Sequence, residues 1–219
     1  QAFNQANKVA FVSMRQAQFF FTLGLQLEKF WIIPNLLQQN KFVLTNNKKN
    51  KEFSIGIVAY PLWVKDMDTF FKSIQLLSQS NNEINFKVFV LGKDNFTASK
   101  SNENIRNMAK SYQVDSFCTF ISELSRNEIQ EFYHQLDVLV STSIFETYGI
   151  AVREALLSGI PVIATDSGGV SSIIDNCNGF LVPIKSPEAI TDAILEINKN
   201  KNNYLPSKIR DFVIEKEGE

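Results

Sequence analysis

Two periods alternate along this chain. Short apolar runs at Ser54–Ala59, Phe86–Leu91, Phe117–Ile121, Val138–Val140 and Val162–Ala164 are rich in Val, Ile and Phe. They lack a clean in/out alternation, which is the pattern of strands buried on both faces. Between them the spacing turns helical. Phe70, Phe71, Ile74 and Leu77 recur at i, i+1, i+4 and i+7, one apolar stripe of a helix. Ser125 and Glu128 stand at capping-box spacing ahead of Ile129, Phe132 and Tyr133. Ser186 and Pro187 set a capping hydroxyl and a first-turn proline before Ile190, Ala193, Ile194 and Ile197. Strand and helix alternating through five such runs predict βαβ units, hence an α/β fold with a doubly wound parallel sheet. Ligands of such sheets sit in the loops at the carboxyl ends of the strands.

A smaller piece precedes this pattern: strand-like Lys8–Ser13, helix-like Met14–Leu23 and strand-like Phe30–Ile33. The stretch Gln38–Glu52 is the best candidate for a linker between the two. Polar islands at Asn46–Lys51, Asn81–Asn85, Ser99–Asn104 and Asn198–Asn203 read as solvated loops. No internal repeat is evident.

Composition narrows the choices. With 44% hydrophobic and 21% charged residues, the 219-residue chain has a globular make-up, not a disordered one. Lys+Arg of 22 against Asp+Glu of 23 gives net charge −1, which removes the electrostatic case for a nucleic-acid partner. Cys118 and Cys177 lie too far apart for a disulfide framework or metal motif, so a reduced, cytoplasmic chain is expected. No apolar run approaches the length of about eighteen residues that spans a bilayer. The chain opens on Gln1 without a signal peptide, and reads as a piece of something longer.

The most informative segment runs from Ser141 to Gly169, STSIFETYGIAVREALLSGIPVIATDSGG. A buried strand ends near Ser141, a polar loop carries Glu146, and Gly149 opens a helix that closes at Gly159. Pro161 then starts a strand ending in Asp166-Ser-Gly-Gly. Free amides around Tyr148 to Ala151 would face the strand-end crevice, where they and the helix dipole favour an anion. Glu154 lies about one and a half turns into that helix. Carboxylates accept hydrogen bonds from hydroxyls, so two of them beside an anion site suit a sugar or ribose on a diphosphate.

Glu146 and Glu154, with seven residues between them, resemble the E-x7-E motif of retaining GT-B glycosyltransferases of the large family 4 group. The second glutamate opens E-A-x-x-x-G-x-P-V, followed by G-G, which makes the match specific. The resemblance spans most of the chain. Lys8–Ser13 is similar to the strand ending in V-S late in the family's N-terminal domain, and Ile32-Ile33-Pro34-Asn35 to the I-P-N motif at the domain connection. Ile57–Lys65 is similar to the first strand and phosphate loop of the C-terminal domain. Leu91-Gly92 resembles the end of the next strand of that domain, Asp137–Ser143 the D-v-x-v-x-x-S entry to the motif, and Gly179–Val182 the G-x-L-V after it. The implied division is residues 1–40 as the end of the N-terminal domain and the connection, 41–52 as linker, and 53–219 as a Rossmann-like nucleotide-sugar domain.

The resemblance implies roles by position. Glu154 would take the ribose diol, and Glu146 the donor-sugar hydroxyls and the positive charge developing at the anomeric carbon. The amides of Tyr148, Gly149 and Ile150 would hold the distal phosphate, and Lys65 would neutralise the diphosphate leaving group. Ile121 would offer backbone groups to the nucleobase. Gly168 and Gly169 would either let the backbone approach the donor or make a tight turn. The implied reaction moves a hexose-type sugar from a nucleoside diphosphate to a hydroxyl acceptor with configuration kept, in polysaccharide or glycoconjugate synthesis. It needs no cofactor or metal. The implied partners are the nucleotide sugar, the acceptor and the rest of the N-terminal domain, without which this piece is expected to bind donor weakly and to transfer nothing. The implied location is cytoplasmic, with the complete protein peripheral at the inner membrane face.

Some positions depart from the family. The arginine of a G-R pair, five residues before Lys65, is Tyr60 here, next to Ala59; Asp66 and Ser122 stand where glycines are usual. Losing a charge-assisted donor to a leaving group costs on the order of 2–4 kcal/mol. A non-catalytic nucleotide-sugar-binding module is therefore the rival reading, and a phosphorylase would need a pyridoxal-phosphate lysine for which no segment argues. Asp66-Met-Asp68 has metal-binding spacing, but at a helix start its acids are expected to cap. His134 reads as a helix-end residue, Phe19–Phe21 as packing, and Trp31 and Trp63 as packing or cleft-lining.

Overall fold

The computed structural model describes residues 6, 8–25, 30–37, 39–44, 52–58, 60, 62–80, 84–92, 105–125 and 127–217. The leading piece is β1 (Val9–Phe11), α1 (Met14–Thr22) and β2 (Phe30–Ile32). The strands pair in parallel, Val9 opposite Phe30, and α1 crosses between them. Ser13 caps α1 by accepting from the Gln16 amide at 3.1 Å. Phe11, Ala17 and Leu25 form a small core with Phe20, Phe21 and Phe30.

The larger unit follows: β3 (Phe53–Val58), α2 (Met67–Gln79), β4 (Phe86–Leu91), α3 (Ile105–Ser111), β5 (Cys118–Ile121), α4 (Glu128–His134), β6 (Val138–Ser141), α5 (Ile150–Leu157), β7 (Val162–Thr165), β8 (Gly179–Val182), α6 (Pro187–Lys199) and α7 (Pro206–Glu217). Its six strands run parallel in the order β5-β4-β3-β6-β7-β8. The absence of polar alternation has its cause here. Val138 and Val140 of β6 face one core, with Phe70, Phe71, Ile74, Ile190 and Ile194. Leu139 between them faces a second core, with Phe132, Tyr133, Val152, Leu156 and Ile209. Helices α2, α3 and α6 cover the first face and α4, α5 and α7 the second. The winding reverses between β3 and β6, so a crevice opens at their carboxyl ends.

Local details sharpen several expectations. The capping box holds: the Ser125 amide donates to Glu128 Oε2 at 2.8 Å, and the Glu128 amide to Ser125 Oγ at 3.4 Å. Asp66 caps α2 through the Thr69 amide and hydroxyl, at 3.4 and 2.7 Å, and Asp68 accepts from the Tyr112 hydroxyl at 3.1 Å. Pro187 opens α6 as expected, but Ser186 precedes it without a side-chain capping bond. Asn198–Asn203 is not a loop: α6 runs through Lys199, and a 3₁₀ turn covers Lys201–Asn203. Strand β8 adds a sixth strand that its short Gly-led run did not reveal. The islands at 46–51 and 99–104 lie outside the described residues.

Within the expected linker, Phe42 is buried against Tyr133, ring centroids 6.2 Å apart. Arg210 donates to the carbonyls of Gln39, Phe42 and Leu157, and His134 Nε2 lies 2.7 Å from the Val43 carbonyl. Residues 39–44 are thus laced onto α4 and α7.

Candidate functional site

Three loops meet above the crevice between β3 and β6. After β3 the chain passes Tyr60 and a 3₁₀ turn, Trp63–Lys65. Thr142 Oγ1 donates to the Lys65 carbonyl at 2.8 Å and the Ile144 amide to the Val64 carbonyl at 2.8 Å, which ties this turn to the loop after β6. The loop after β7 joins from the other side: the Glu146 amide donates to the Ser167 carbonyl at 2.9 Å and the Gly169 amide to the Glu146 carbonyl at 2.7 Å. A cavity of about 410 Å³ opens here, lined by Tyr60, Lys65, Glu146, Gly149, Ile150 and Glu154, with Asn35 after β2 and Tyr148. Among the described residues that line it, Lys65 is the cation.

Lining this cavity is a carboxylate gripped by three donors. Glu146 Oε2 accepts from Lys65 Nζ at 2.8 Å. Glu146 Oε1 accepts from the amides of Thr147 at 3.1 Å and Gly149 at 3.2 Å. Gly149 precedes α5 with φ +79°, a conformation that glycine adopts freely, and a Cβ there would stand 2.3 Å from Val170 Cγ1. A lysine and a helix-entry amide therefore converge on one anionic group, aided by the helix dipole.

Glu154, on the next turns of α5, lives differently. Tyr133, fully buried on α4, donates its hydroxyl to Glu154 Oε2 at 2.8 Å. Burial pushes the Glu154 carboxyl above the ordinary carboxylate range, and the Tyr133 bond pulls it part of the way back. The Tyr133 hydroxyl is itself pushed well up, by burial and then by the neighbouring carboxylate.

Sequence reasoning missed Arg153. It is 3% exposed, and its guanidinium donates to Glu217 Oε1 at 2.7 Å, to the Gly169 carbonyl at 3.0 Å and to the Tyr148 carbonyl. It also lies 3.8 Å from the centre of the Tyr148 ring. The Tyr148 hydroxyl donates to Glu217 Oε2 at 2.5 Å, and burial followed by that bond raises its pKa. The available signal was a lone arginine among the apolar residues of IAVREALL.

A family model described as Glycosyl transferases group 1 matches residues 38–212. The chain belongs to the group 1 glycosyltransferases. It is 27% identical over 201 residues to the O-antigen chain mannosyltransferase RfbU of Salmonella typhimurium, covering 88% of this chain and 54% of that protein. Its fold matches sucrose-phosphate synthase from Thermosynechococcus elongatus with a TM-score of 0.84, at 19% identity, over 96% of this chain and 54% of the other. It also matches a mutant of TarM from S. aureus, in complex with fondaparinux, alpha-GlcNAc-glycerol and UDP, with a TM-score of 0.81 at 22% identity, over 98% of this chain and 42% of that one. The chain thus spans about half the length of these relatives. Its sheet is the Rossmann-like α/β unit of a GT-B glycosyltransferase.

Placed on this glycosyltransferase unit, most of the expected site residues meet in one cavity: Lys65, Glu146, Tyr148, Gly149, Ile150 and Glu154. Ile121 ends β5, two strands away from β3; it does not line this cavity, and its carbonyl accepts from the Gly92 amide at 2.9 Å. Gly169 packs against the 147–148 peptide, where a Cβ would stand 2.2 Å from the Thr147 oxygen. Gly168 lines a neighbouring cavity of about 330 Å³ with Arg15 and Gln18 of α1 and with Asp166. Trp31 and Trp63 are exposed, and Phe19 packs against Phe145 at 4.9 Å between centroids. No helix of the described residues is long and apolar enough to cross a membrane.

Proposed function

We propose that this chain is the donor-binding half of a retaining glycosyltransferase that moves a hexose-type sugar from a nucleoside diphosphate to a hydroxyl acceptor, in polysaccharide or glycoconjugate synthesis. The observation that carries this reading is the shared anion: Lys65 Nζ and the Gly149 amide hold the same carboxylate at the mouth of α5. A diphosphate offers the same two groups more negative charge than one carboxylate does. On its arrival Glu146 is released from Lys65 and turns to the donor-sugar hydroxyls and the anomeric carbon. Glu154, deeper along α5, accepts from the ribose diol. The bond from the anomeric carbon to the diphosphate breaks, the acceptor oxygen takes its place on the same face, and the acceptor proton leaves with the diphosphate. Lys65 and the preorganised amides stabilise the charge that builds on the leaving group. The cavity lined by Arg15 and Gln18 abuts the same loops and supplies room for the acceptor side.

Thermal shifts with UDP, GDP and ADP test the donor reading. One of the three is expected to stabilise the chain, and Glu154→Ala is expected to remove that shift; an equal shift in both proteins would refute the ribose role. Tyr60, standing where the resembling family carries arginine, keeps a binding module as the rival. Transfer by the complete protein decides between them, since a module would bind donor and transfer to no acceptor.

A further inference from the structure

The peptide between Tyr148 and Gly149 is where the site is least self-supporting. Its N–H reaches Glu146 Oε1 and, on the reading above, a phosphate oxygen. Yet Gly149 sits at φ +79°, and glycine tolerates either sign of φ, so rotation of this peptide meets little steric resistance. A trans peptide is planar, with its C=O and N–H pointing to opposite sides. Whatever holds the Tyr148 carbonyl on the core side therefore aims the Gly149 amide at the cavity.

Arg153 holds that carbonyl. Its guanidinium also holds the Gly169 carbonyl at 3.0 Å, and the Gly169 amide in turn donates to the Glu146 carbonyl at 2.7 Å. One buried cation thus grips both the loop that carries Glu146 and the loop after β7 that bonds to it. The cation is balanced from α7: Glu217 takes Arg153 Nε on one oxygen, at 2.7 Å, and the Tyr148 hydroxyl on the other, at 2.5 Å. The side chains of Arg153 and Glu217 are 4% and 12% exposed, so neither charge has solvent in place of the other. Glu217 lies beyond the residues that the family model matches, 38–212, whereas Arg153 lies within them.

We propose that Arg153 is a positioning residue whose hold on the Tyr148 carbonyl, set by Glu217 of α7, points the Gly149 amide at the donor diphosphate. The clamp acts on the phosphates and not on the ribose, because Glu154 takes its hydrogen bond from Tyr133 on α4. The inference rests on the donor reading, and the test separates the two.

The measurement is the affinity of the 219-residue chain for UDP, GDP and ADP, and for uridine, guanosine and adenosine, by calorimetry. Glu217→Ala is the first variant, since Arg153→Ala would empty a core position and endanger folding itself. Arg153→Lys is the second, because one ammonium cannot replace three placed donors. Both are expected to lower diphosphate affinity about tenfold to a hundredfold while nucleoside affinity stays within about twofold. A merely structural role would lower both together or neither. An unaltered ratio of diphosphate to nucleoside affinity in both variants, with the parent chain binding, overturns the positioning role alone. Failure of the parent chain to bind any of the three diphosphates overturns the donor reading and this assignment with it.

Discussion

The two glutamates of the site are eight residues apart and occupy opposite physical situations. Glu146 stands at the entrance of α5, where a lysine and two backbone amides surround its carboxylate. Glu154 stands within the helix, where burial and one tyrosine hydroxyl surround it. The first position is rich in donors and suits a charge that can be exchanged for a stronger anion. The second is poor in donors, and its carboxylate gains from any hydroxyl brought to it. Residue type alone would make them equivalent; one stands before α5 and the other within it, and on the proposed reading that difference would make one part of an anion exchange and the other a hydroxyl receptor.

The largest expected effect comes from separating these roles with ligands that offer one chemistry at a time. Glu154→Ala should cost nucleoside and nucleotide affinity by about a hundredfold, the loss of hydrogen bonds to a charged acceptor, and leave inorganic pyrophosphate binding unchanged. Lys65→Ala should do the reverse, losing pyrophosphate and nucleoside diphosphate but not nucleoside. Calorimetry with the three ligands checks both, and identical losses across all three in either variant would break the comparison. In the complete protein, Lys65→Ala should also lower kcat by roughly 10²–10³.

Next in size is the pH dependence. On the proposed reading a ribose diol would be held by the ionised form of Glu154, whose pKa is raised by burial. Nucleoside affinity should therefore fall on acidification at a pH above the ordinary carboxylate range, and Glu154→Gln should flatten the profile. Stability carries the opposite sign. A carboxyl whose folded pKa exceeds its unfolded value is costly once ionised, so stability is fully kept below the unfolded pKa and declines as pH rises toward the folded one. Urea melts of the parent and of Glu154→Gln across that window should differ in slope, with the parent losing more stability as pH rises. Equal slopes would mean that Glu154 is solvated after all.

How much of this is legible in the sequence depends on the range of each interaction. Strand β4 is legible to the residue, and β3, β6 and β7 to within one residue at either end, because burial on both faces leaves a local apolar signature. The capping box at Ser125 and Glu128 and the acid at Asp66 are legible because a cap acts within three residues. The meeting of Lys65 with Glu146, 81 residues apart, follows from the family motif and from no local period. The Arg153–Glu217 pair, 64 residues apart, has no motif to announce it. It arises because α5 and α7 share one face of the sheet, and helix packing is not encoded in either helix alone. The place of Ile121 has a related cause: strand order, which puts β5 at the sheet edge, is invisible in a succession of strands.

The smallest effect expected is also the sharpest probe of the deeper glutamate. Tyr133→Phe removes the hydroxyl that donates to Glu154 and leaves the surrounding ring packing in place. That hydrogen bond is the influence that lowers the Glu154 pKa against burial, so its loss should move the titration further upward. Near neutral pH the carboxylate would then have one donor fewer and one acceptor position more for a ribose. Nucleoside affinity should change by only about threefold, the scale of one hydrogen bond exchanged for another, while the acid limb of its pH profile shifts to higher pH. Pyrophosphate affinity should not change at all, since the anion position at Glu146 is built without Tyr133. A shift of the acid limb to lower pH would mean that the tyrosine holds the protonated carboxyl instead, and the contrast between the two glutamates would then rest on burial alone.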